Sequence, residues 1–405
     1  WEKFSYDPKE ITAVFVTHAH IDHTGRLPKL VKDGFSGRVY STPPTRDFAN
    51  VLLLDSEHML IEAAERFKLP NLYGVREIEE LMAHWEGLNY HQPISIGPFT
   101  ITLYNSGHIL GSSSILVEVE GKRLVFSGDL GNSPSPIIGE YELFDDIEID
   151  YCVMESAYGN RLHTPADASA IEDVIEETVK KGGVLMIPAF AMERTQKLLF
   201  DINELAENGR IPKIPVFLDS PLAIKITDVY KRYSSYFDEK TKHLLKKDNL
   251  LFDFPGLRKT LTADDSKQIN NVPPPKIIIA GSGMSQGGRI LHHEKRYLPD
   301  PKSTLLFVGY QSKNTLGRKL LEGAKMVTIH NEEIPVRCRR VYLEGFSAHA
   351  DQKQLLDWLN PMRLTLKNVF VVQGDEDESS ALSQKIRNDL AVHSEIPELG
   401  KTLTI

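Results

Sequence analysis

The stretch FVTHAHIDHTGRLPKLVKDG, residues 15–34, decides the fold, because it places three histidines and an aspartate within six positions. The apolar, β-branched segment that leads into it, residues 11–17, predicts a strand. Its second half predicts a short helix that is closed by Gly34. The polar cluster is therefore expected at the carboxyl end of a strand, where the chain turns into a helix.

The four polar residues have the types and the spacing of metal ligands. Side chains two residues apart on an extended chain point the same way, so His18 and His20 are expected to converge on one point. Asp22 and His23 follow at the turn and reach a second point nearby. Imidazole nitrogen and carboxylate oxygen are the ligands that catalytic zinc uses, so the stretch predicts a metal site.

The composition excludes several classes of protein. The chain has 405 residues, 41 % of them hydrophobic and 25 % charged, which is typical of a globular protein of two or three domains. No apolar run approaches the ~20 residues of a membrane span. Only Cys152 and Cys338 occur, which argues against a disulfide scaffold and favours a reducing cytoplasm. The net charge of −9 is the wrong sign for binding nucleic acid by global attraction, although a local cleft can still be positive.

The rhythm of the predicted elements changes twice along the chain. Up to about residue 160, short strands alternate with loops and with the helical spacing of residues 44–90. From there, helices and strands alternate, which predicts βαβ units around a parallel sheet. After about residue 325, further strands flank the predicted helix DQKQLLDWLN. These changes predict domain boundaries near residues 160 and 325.

Two further candidate ligands follow later strands. His108 stands in the turn NSGHILGSSS, and Asp129 stands in VFSGDLGN. Taken alone, such residues in glycine-rich turns are more often structural than metal-binding. Their order after the histidine-rich stretch is what favours a role as ligands.

Together these motifs resemble those of the metallo-β-lactamase superfamily, in the branch that carries a β-CASP insert. The metal motifs of that branch match the six candidate ligands already named. Its acidic motif matches Glu155 in ESAYGNR, and its next histidine motif matches His349 in GFSAHAD. The resemblance covers nearly the whole chain and points to the bacterial RNA-processing members.

The resemblance implies an α/β fold of two parts. A four-layered αββα metallo-β-lactamase domain would be built from residues 1–160 and 326–405, and an α/β β-CASP domain, residues 161–325, would be inserted into it. The family opens with strands and an aspartate motif that precede the histidine-rich stretch and have no counterpart here. The chain is therefore expected to start inside the first domain.

The resemblance also implies two zinc ions as cofactors. The first ion would take His18, His20 and His108, the second would take Asp22 and His23, and both would take Asp129. Two zinc ions ~3.5–4 Å apart share a hydroxide with a pKa of ~7, which would attack a backbone phosphorus.

The expected catalytic residues are Asp22, Glu155 and His349. His349 would protonate the leaving oxygen, and the carboxylate of Glu155 would orient the imidazole and raise its pKa.

The segment IIIAGSGMSQGGRILHHE predicts a strand, a glycine-rich loop and a helix, which together expose backbone N–H groups to an anion. Ser282, Gly283 and Arg289 are the candidates for holding substrate phosphates. A tight turn between strand and helix, without a ligand, is an equally good interpretation.

One departure from the family concerns the second metal. The last family motif contains a histidine, whereas VVQGDED places Gln373 there. An amide oxygen is a poorer zinc donor than imidazole. Asp375 lies two residues further on and could take over. The second site is therefore expected to be weakened or rearranged.

The implied function is that of a zinc-dependent ribonuclease in RNA processing or decay. Its partner would be single-stranded RNA, it would be cytoplasmic without contact to a membrane, and a homodimer is left open. Three alternatives stay open as well. They are another metallohydrolase of this fold, such as a thioester hydrolase, a DNA nuclease, and a catalytically impaired scaffold of a processing complex. Gln373 supports the last two.

Overall fold

The computed structural model describes residues 1–164, 168–247, 251–343 and 345–405. Their contacts divide the chain into two compact units. Unit 1 comprises Trp1–Leu162, Ser235–Asp238 and Ala348–Ile405, and unit 2 comprises His163–Ser234 and Glu239–Ser347.

The strands of the described residues, in chain order, are β1 Ala13–Phe15, β2 Arg38–Ser41, β3 Trp85–Gly87, β4 Ile94–Ile96, β5 Phe99–Asn105, β6 Ser113–Val119, β7 Lys122–Phe126, β8 Tyr151–Met154, β9 Val184–Pro188, β10 Val216–Asp219, β11 Leu257–Lys259, β12 Lys276–Ala280, β13 Thr304–Phe307, β14 Met326–Ile329, β15 Glu332–Pro335, β16 Arg339–Tyr342, β17 Asn368–Val371 and β18 Ser394–Glu395.

The α-helices of the same residues are α1 Ile21–Thr24, α2 Leu27–Lys32, α3 Pro43–Phe67, α4 Val75–Ala83, α5 Ala168–Lys180, α6 Arg194–Glu207, α7 Pro221–Arg232, α8 Glu239–Lys247, α9 Ala263–Gln268, α10 Ile290–Tyr297, α11 Leu316–Leu321, α12 Gln352–Leu359 and α13 Glu376–Leu390.

Unit 1 contains two sheets that share a core. The small sheet has the strand order β1-β2-β3 and is parallel, and the large sheet has the order β18-β17-β8-β7-β6-β5-β4. Tyr40 of β2 lies in one buried cluster with Leu103 of β5 and Ile115 of β6. This apolar layer joins the facing sides of the two sheets.

Helices cover the outer sides of both sheets. Cys152 of β8 and Val369 of β17 share a core with Trp358 of α12 and Leu382 of α13. On the side of the small sheet, α3 packs against β3. The layers of unit 1 therefore follow the order αββα, and the predicted fold class is confirmed.

The helical spacing predicted over residues 44–90 corresponds to two helices and a strand. The helix α3 begins after Thr42, whose hydroxyl accepts a hydrogen bond from the N–H of Thr45, and it ends where Lys68 adopts a left-handed conformation. The helix α4 follows, but the chain then enters β3, so the last part of that prediction is wrong. Among the described helices, none combines the length and the apolar composition that crossing a membrane requires.

Unit 2 is built around a six-stranded parallel sheet with the order β11-β10-β12-β9-β13-β16. Its central strands are buried at every position, as in β9 and β12. Strands that are covered on both faces read as continuous apolar runs, which explains segments such as KIIIA and VLMIP. The predicted alternation of helices and strands around a parallel sheet is confirmed.

Two predicted elements need comment at the unit borders. The strand RRVYLEG contains β16, which pairs in parallel with β13, so contacts place residues 326–347 with unit 2. The helix predicted from Asp167 begins at a residue outside the described ranges, and its described part is α5. The domain boundaries at residues 160 and 325 stay predictions.

Candidate metal centre

Four of the predicted ligands meet in unit 1. His18, His20, His108 and Asp129 each offer one ligand atom, and these atoms all lie within 4.8 Å of one another. The two histidines of the opening stretch follow β1, His108 follows β5, and Asp129 follows β7. The cluster is thus assembled from the carboxyl ends of three strands.

The distances within this cluster fit a tetrahedral cation. Nε2 of His18 lies 3.1 Å from Nδ1 of His20 and 3.4 Å from Oδ2 of Asp129. Nε2 of His108 lies 3.2 Å from the same Nδ1 atom and 3.5 Å from the same oxygen. A tetrahedral zinc site with zinc–nitrogen bonds of ~2.0–2.1 Å places its ligand atoms ~3.3–3.4 Å apart. Three imidazoles and one carboxylate at these distances are a donor set that suits zinc.

A second group of residues lies on the other oxygen of Asp129. Nε2 of His23 lies 3.5 Å from Oδ1 of Asp129 and 3.5 Å from Oδ2 of Asp22. The side-chain nitrogen of Gln373 lies 2.9 Å from Oδ1 of Asp129 and 2.7 Å from Nε2 of His23. The carboxylate of Asp129 therefore faces the three-histidine cluster with one oxygen and the second group with the other. A bridging ligand requires this arrangement.

Gln373 stands where a second-site ligand is needed. Rotating its amide by 180° exchanges the nitrogen for the oxygen, which is the atom able to bind a cation. Asp375, the alternative considered from the sequence, is exposed and precedes α13. Within the described part of the chain, the contacts with His23 and Asp129 are made by Gln373 rather than by Asp375.

Hydrogen bonds behind the cluster orient two imidazoles. Nδ1 of His108 lies 3.3 Å from the carbonyl oxygen of Ala348, and Nδ1 of His18 lies 3.1 Å from Oγ1 of Thr17. When Nδ1–H donates to such an acceptor, Nε2 keeps its lone pair for a metal. The sequence analysis missed both partners. A backbone carbonyl has no sequence signal, and only its position beside His18 marked Thr17.

A glycine allows the chain to deliver Asp129. Gly128 has a φ of 57°, and a Cβ atom there would lie 2.8 Å from Cβ of Thr17 and 2.9 Å from the carbonyl oxygen of Ser113. Glycine alone satisfies both the left-handed conformation and the close approach. The motif SGD thus has a steric reason.

Burial sets the charges of the first group. Removal from water lowers the pKa values of His18 and His108, and it lowers that of His20 to about 3. Burial alone would raise the pKa of Asp129, but the neighbouring histidines, above all His18, outweigh it and hold that pKa well below its usual value. Neutral imidazoles and an ionised carboxylate are the forms that bind metal.

The second group is more exposed and holds its proton more tightly. The side chain of Asp22 is 70 % exposed, whereas those of His18 and His108 are fully buried. Burial lowers the pKa of His23, but a hydrogen bond to Asp22 and the charge of Asp129 outweigh it, so that the pKa is raised. A metal must displace this proton, which weakens binding at the second position.

Glu155 and His349 form a pair beside the centre. Oε1 of Glu155 accepts a hydrogen bond of 2.5 Å from the N–H of Leu130, and Oε2 lies 3.4 Å from Nδ1 of His349. The same Nδ1 atom lies 3.9 Å from Oδ2 of Asp129. Gly131 pairs with His349 in an antiparallel bridge. One turn, residues 129–131, therefore positions a ligand, the carboxylate and the imidazole together.

The carboxylates favour the protonated form of His349. Burial lowers the pKa of this imidazole, but the charge and hydrogen bond of Glu155, followed by the charge of Asp129, outweigh it and raise the pKa to about 9. The side chain is still 26 % exposed. An imidazolium that solvent can reach lies next to the ligand cluster, and it is able to donate a proton.

The three candidate substrate-binding residues lie in unit 2, in the loop between β12 and α10. The hydroxyl of Ser282 accepts two backbone N–H groups of its own loop, at 2.9 and 3.2 Å. A Cβ atom at Gly283 would lie 2.7 Å from the ring of Phe190, and Arg289 donates a hydrogen bond of 2.7 Å to Asp219. These contacts build the loop, and the role in substrate binding stays a prediction.

Comparison with known proteins identifies the family. Three family models match: the metallo-beta-lactamase superfamily over residues 2–176, the Beta-Casp domain over 195–320, and the Zn-dependent metallo-hydrolase RNA specificity domain over 333–397. A protein of Thermus thermophilus named as a ribonuclease is 38 % identical over 384 residues, which cover 94 % of this chain and 85 % of that protein. The chain belongs to the β-CASP branch of the metallo-β-lactamase superfamily.

Other relatives of this β-CASP protein are archaeal. An RNase J-like protein of Methanocaldococcus jannaschii is 34 % identical over 406 residues, which cover 98 % of this chain and 90 % of that protein. Transcription termination factor FttA of Methanosarcina mazei is 30 % identical over 402 residues, which cover 95 % of this chain but 62 % of that longer protein. The predicted family is confirmed, and the chain is a metal-dependent hydrolase.

Proposed function

We propose that this β-CASP protein is a zinc-dependent ribonuclease that hydrolyses phosphodiester bonds of single-stranded RNA in RNA processing or decay. The observation that carries the proposal is the carboxylate of Asp129, which faces three imidazoles with one oxygen and His23 with the other. The names of the relatives, a ribonuclease and an RNase J-like protein, support RNA as the substrate. So does the RNA specificity model that matches residues 333–397.

The proposed ligands fall into two sets that share Asp129: His18, His20 and His108 for the first zinc ion, and Asp22, His23 and the amide of Gln373 for the second. Zinc bound at both positions would supply a hydroxide near neutral pH and offset the charge that develops on the phosphoryl oxygens. The buried imidazoles of the first set are neutral without a metal, so no proton competes there.

His349 is the proposed proton donor to the leaving oxygen. It is protonated at neutral pH, and its exposed edge can meet a substrate atom. Glu155 acts as the positioning residue, because the N–H of Leu130 fixes its carboxylate and the carboxylate holds the imidazolium. Positive charge in the metal centre lowers the pKa of His349 towards neutrality, the range in which general acids work best.

A second candidate function is a scaffold of a processing complex with impaired catalysis. Gln373 favours this alternative, because it replaces an imidazole ligand by an amide at the exposed metal position. The two functions differ in zinc content. A nuclease is expected to hold up to two zinc ions per chain, whereas a degenerate scaffold is expected to hold well under two.

The domain division and the compartment belong to the same proposal. The metallo-β-lactamase domain would comprise residues 1–160 and 326–405, with the β-CASP domain, residues 161–325, between them. The protein would act in the cytoplasm.

One experiment tests the proposal and its alternatives. Bound zinc is measured by mass spectrometry, and the protein is then incubated with single-stranded RNA and DNA labelled at the 5′ or the 3′ end. We expect RNA cleavage that Asp129→Ala and His349→Ala abolish without lowering the thermal midpoint of unfolding. His58→Ala, at a histidine whose side chain is 82 % exposed on α3, is the matched control and should keep full activity.

Each other result points to one alternative. Cleavage of DNA with RNA left intact would replace the ribonuclease by a DNA nuclease. Turnover of a thioester without any nuclease activity would favour another hydrolase of this fold. Full RNA cleavage by either alanine variant would refute the assigned roles.

A further inference from the structure

Unit 2 contains a cavity whose polar walls are basic. It has a volume of about 440 Å³ and lies between α9 and α10. Six of its lining residues carry a cationic or imidazole side chain: Lys267, Arg289, His292, His293, Lys295 and Arg296. Among the described residues that line it, there is no carboxylate.

The sequence of α10 explains why the basic groups gather there. Residues three and four positions apart lie on the same face of a helix. Arg289, His292, His293 and Arg296 have this spacing, so RILHHEKR directs four basic groups to one side. The helix α9 faces them with Lys267. This face is the main wall of the cavity.

A buried carboxylate behind the wall fixes two of these groups. Asp219 is fully buried, and its oxygens lie 2.7 Å from Nη1 of Arg289 and 2.7 Å from Nε2 of His293. The hydroxyls of Thr260 and Ser266 each donate to Asp219 at 2.6 Å. Four donors thus surround Asp219, and its negative charge is directed at the wall rather than into the cavity.

The other cations remain available to a ligand. Lys267 pairs with Asp264 at 2.9 Å, and Lys295 pairs with Glu332 at 2.6 Å, outside the cavity. Exposed ion pairs of this kind contribute at most ~1 kcal/mol, so a bound anion can replace them. The guanidinium of Arg296 lies on the ring of the adjacent tyrosine and is exposed.

The imidazole of His292 reports the positive potential. Its pKa is lowered, first by burial and then by the nearby His330, His293 and Lys295. The rings of His292 and His330 lie 4.7 Å apart. A group that resists protonation among cations marks a place where an anion is missing from the charge balance.

We propose that this cavity binds a phosphate group. Arginine and lysine side chains are the common partners of phosphate, and the volume lies in the range of cavities that hold small ligands. The phosphate could belong to an RNA chain or to a free nucleotide, and both offer the same chemistry. The site adds five residues to Arg289, whose own guanidinium is already bound to Asp219. It is independent of the reaction at the metal centre.

The test measures binding to the full chain without any cleavage step. Three probes are used: a fluorescent 2′-O-methyl RNA 12-mer, AMP and inorganic phosphate. The double variant Lys267→Glu/Arg296→Glu reverses two exposed charges of the cavity, and Lys302→Glu/Lys319→Glu reverses two exposed charges of unit 2 that do not line it. Thermal midpoints confirm that both variants fold.

The expected result is at least a roughly tenfold loss of affinity in the cavity variant and less than a twofold loss in the control. For the RNA, the slope of log K against log salt concentration should fall by about 1.4, since each phosphate contact on a single strand contributes about 0.7. Loss for the RNA alone would assign the site to chain phosphates. Loss for AMP or phosphate would assign it to a free ligand.

Equal affinities of the wild type and the cavity variant for all three probes would overturn the proposal. The outcome can be read separately from the proposed ribonuclease activity, because the 2′-O-methyl RNA resists hydrolysis. A protein that binds these probes but cleaves no RNA would refute the ribonuclease function and leave the phosphate site intact.

Discussion

The side-chain nitrogen of Gln373 lies 2.9 Å from Oδ1 of Asp129, the oxygen that faces away from the three-histidine cluster. An amide therefore stands against the bridging carboxylate at the position where the family carries a histidine. Gln373 has a φ of 52°, in the left-handed region that asparagine, aspartate and histidine adopt more readily than most residues. Histidine can thus be restored here without new backbone strain.

The variant Gln373→His should tighten the second metal. Imidazole is a better zinc donor than an amide, and we expect the second zinc ion to bind roughly 10–100-fold more tightly. Competition with a chromophoric chelator measures the affinity. Gln92→His, at an exposed position, controls for the added imidazole. An unchanged second affinity would show that Gln373 does not face the metal.

The variant Asp129→Asn should remove zinc from both positions. It keeps the size of the side chain but removes the negative charge that both ligand sets share. We expect less than one zinc ion per chain by mass spectrometry and no activity. Asp375→Asn is the control, because that side chain is exposed at the start of α13. Loss of one zinc ion from this control would identify Asp375 as the ligand.

The variant Glu155→Gln should shift the pH dependence of the reaction. A nearby carboxylate raises the pKa of an imidazole, so without it the pKa of His349 falls. A general acid must be protonated, and activity is lost as pH rises through its pKa. The alkaline limb of the kcat profile should therefore move down by about 1–3 pH units. His349→Ala should lack this limb, and an unmoved limb in Glu155→Gln would exclude the proposed positioning role.

The buried Glu294 of unit 2 makes stability depend on pH. Burial raises its pKa to about 8, although the hydroxyl of Ser285 donates to it at 2.5 Å. The unfolded chain releases this proton above its ordinary pKa of about 4–5, whereas the folded chain keeps it up to about pH 8. Folding stability therefore falls between these values as pH rises, by about 1.4 kcal/mol per pH unit at most.

The variant Glu294→Gln should abolish that loss. We expect it to equal the wild type in stability near pH 5 and to exceed it near pH 9, in urea unfolding of the zinc-loaded protein. Glu333→Gln, at an exposed glutamate of β15, should follow the wild type at every pH. Parallel pH profiles for Glu294→Gln and the wild type would contradict the buried, protonated state.

The ligand cluster was predictable because its members are chemically costly and closely spaced. Few roles other than metal binding explain His18 and His20 on one side of a strand end. Their distant partners, His108 and Asp129, followed only from the resemblance to a family, because a turn residue carries no local signal. The layers of unit 1 and the parallel sheet of unit 2 followed from hydrophobic patterns and from the alternation of elements.

What the sequence did not reveal depends on contacts between distant segments. The pairing of β16 with β13 joins strands that local patterns treat as independent. The carbonyl of Ala348, which orients His108, is a backbone group that every residue has. The four donors to Asp219 come from two loops and a helix of unit 2, and no spacing rule connects them.

The 3.2 Å between the ring nitrogens of His20 and His108 joins positions that are 88 residues apart in the chain. An ion shared by them is a crosslink that exists only after folding. Such a ligand stabilises the native state by about 2.7 kcal/mol when its free concentration is 100 times its dissociation constant. Scarcity of metal would therefore shorten the lifetime of the fold as well as stop the reaction.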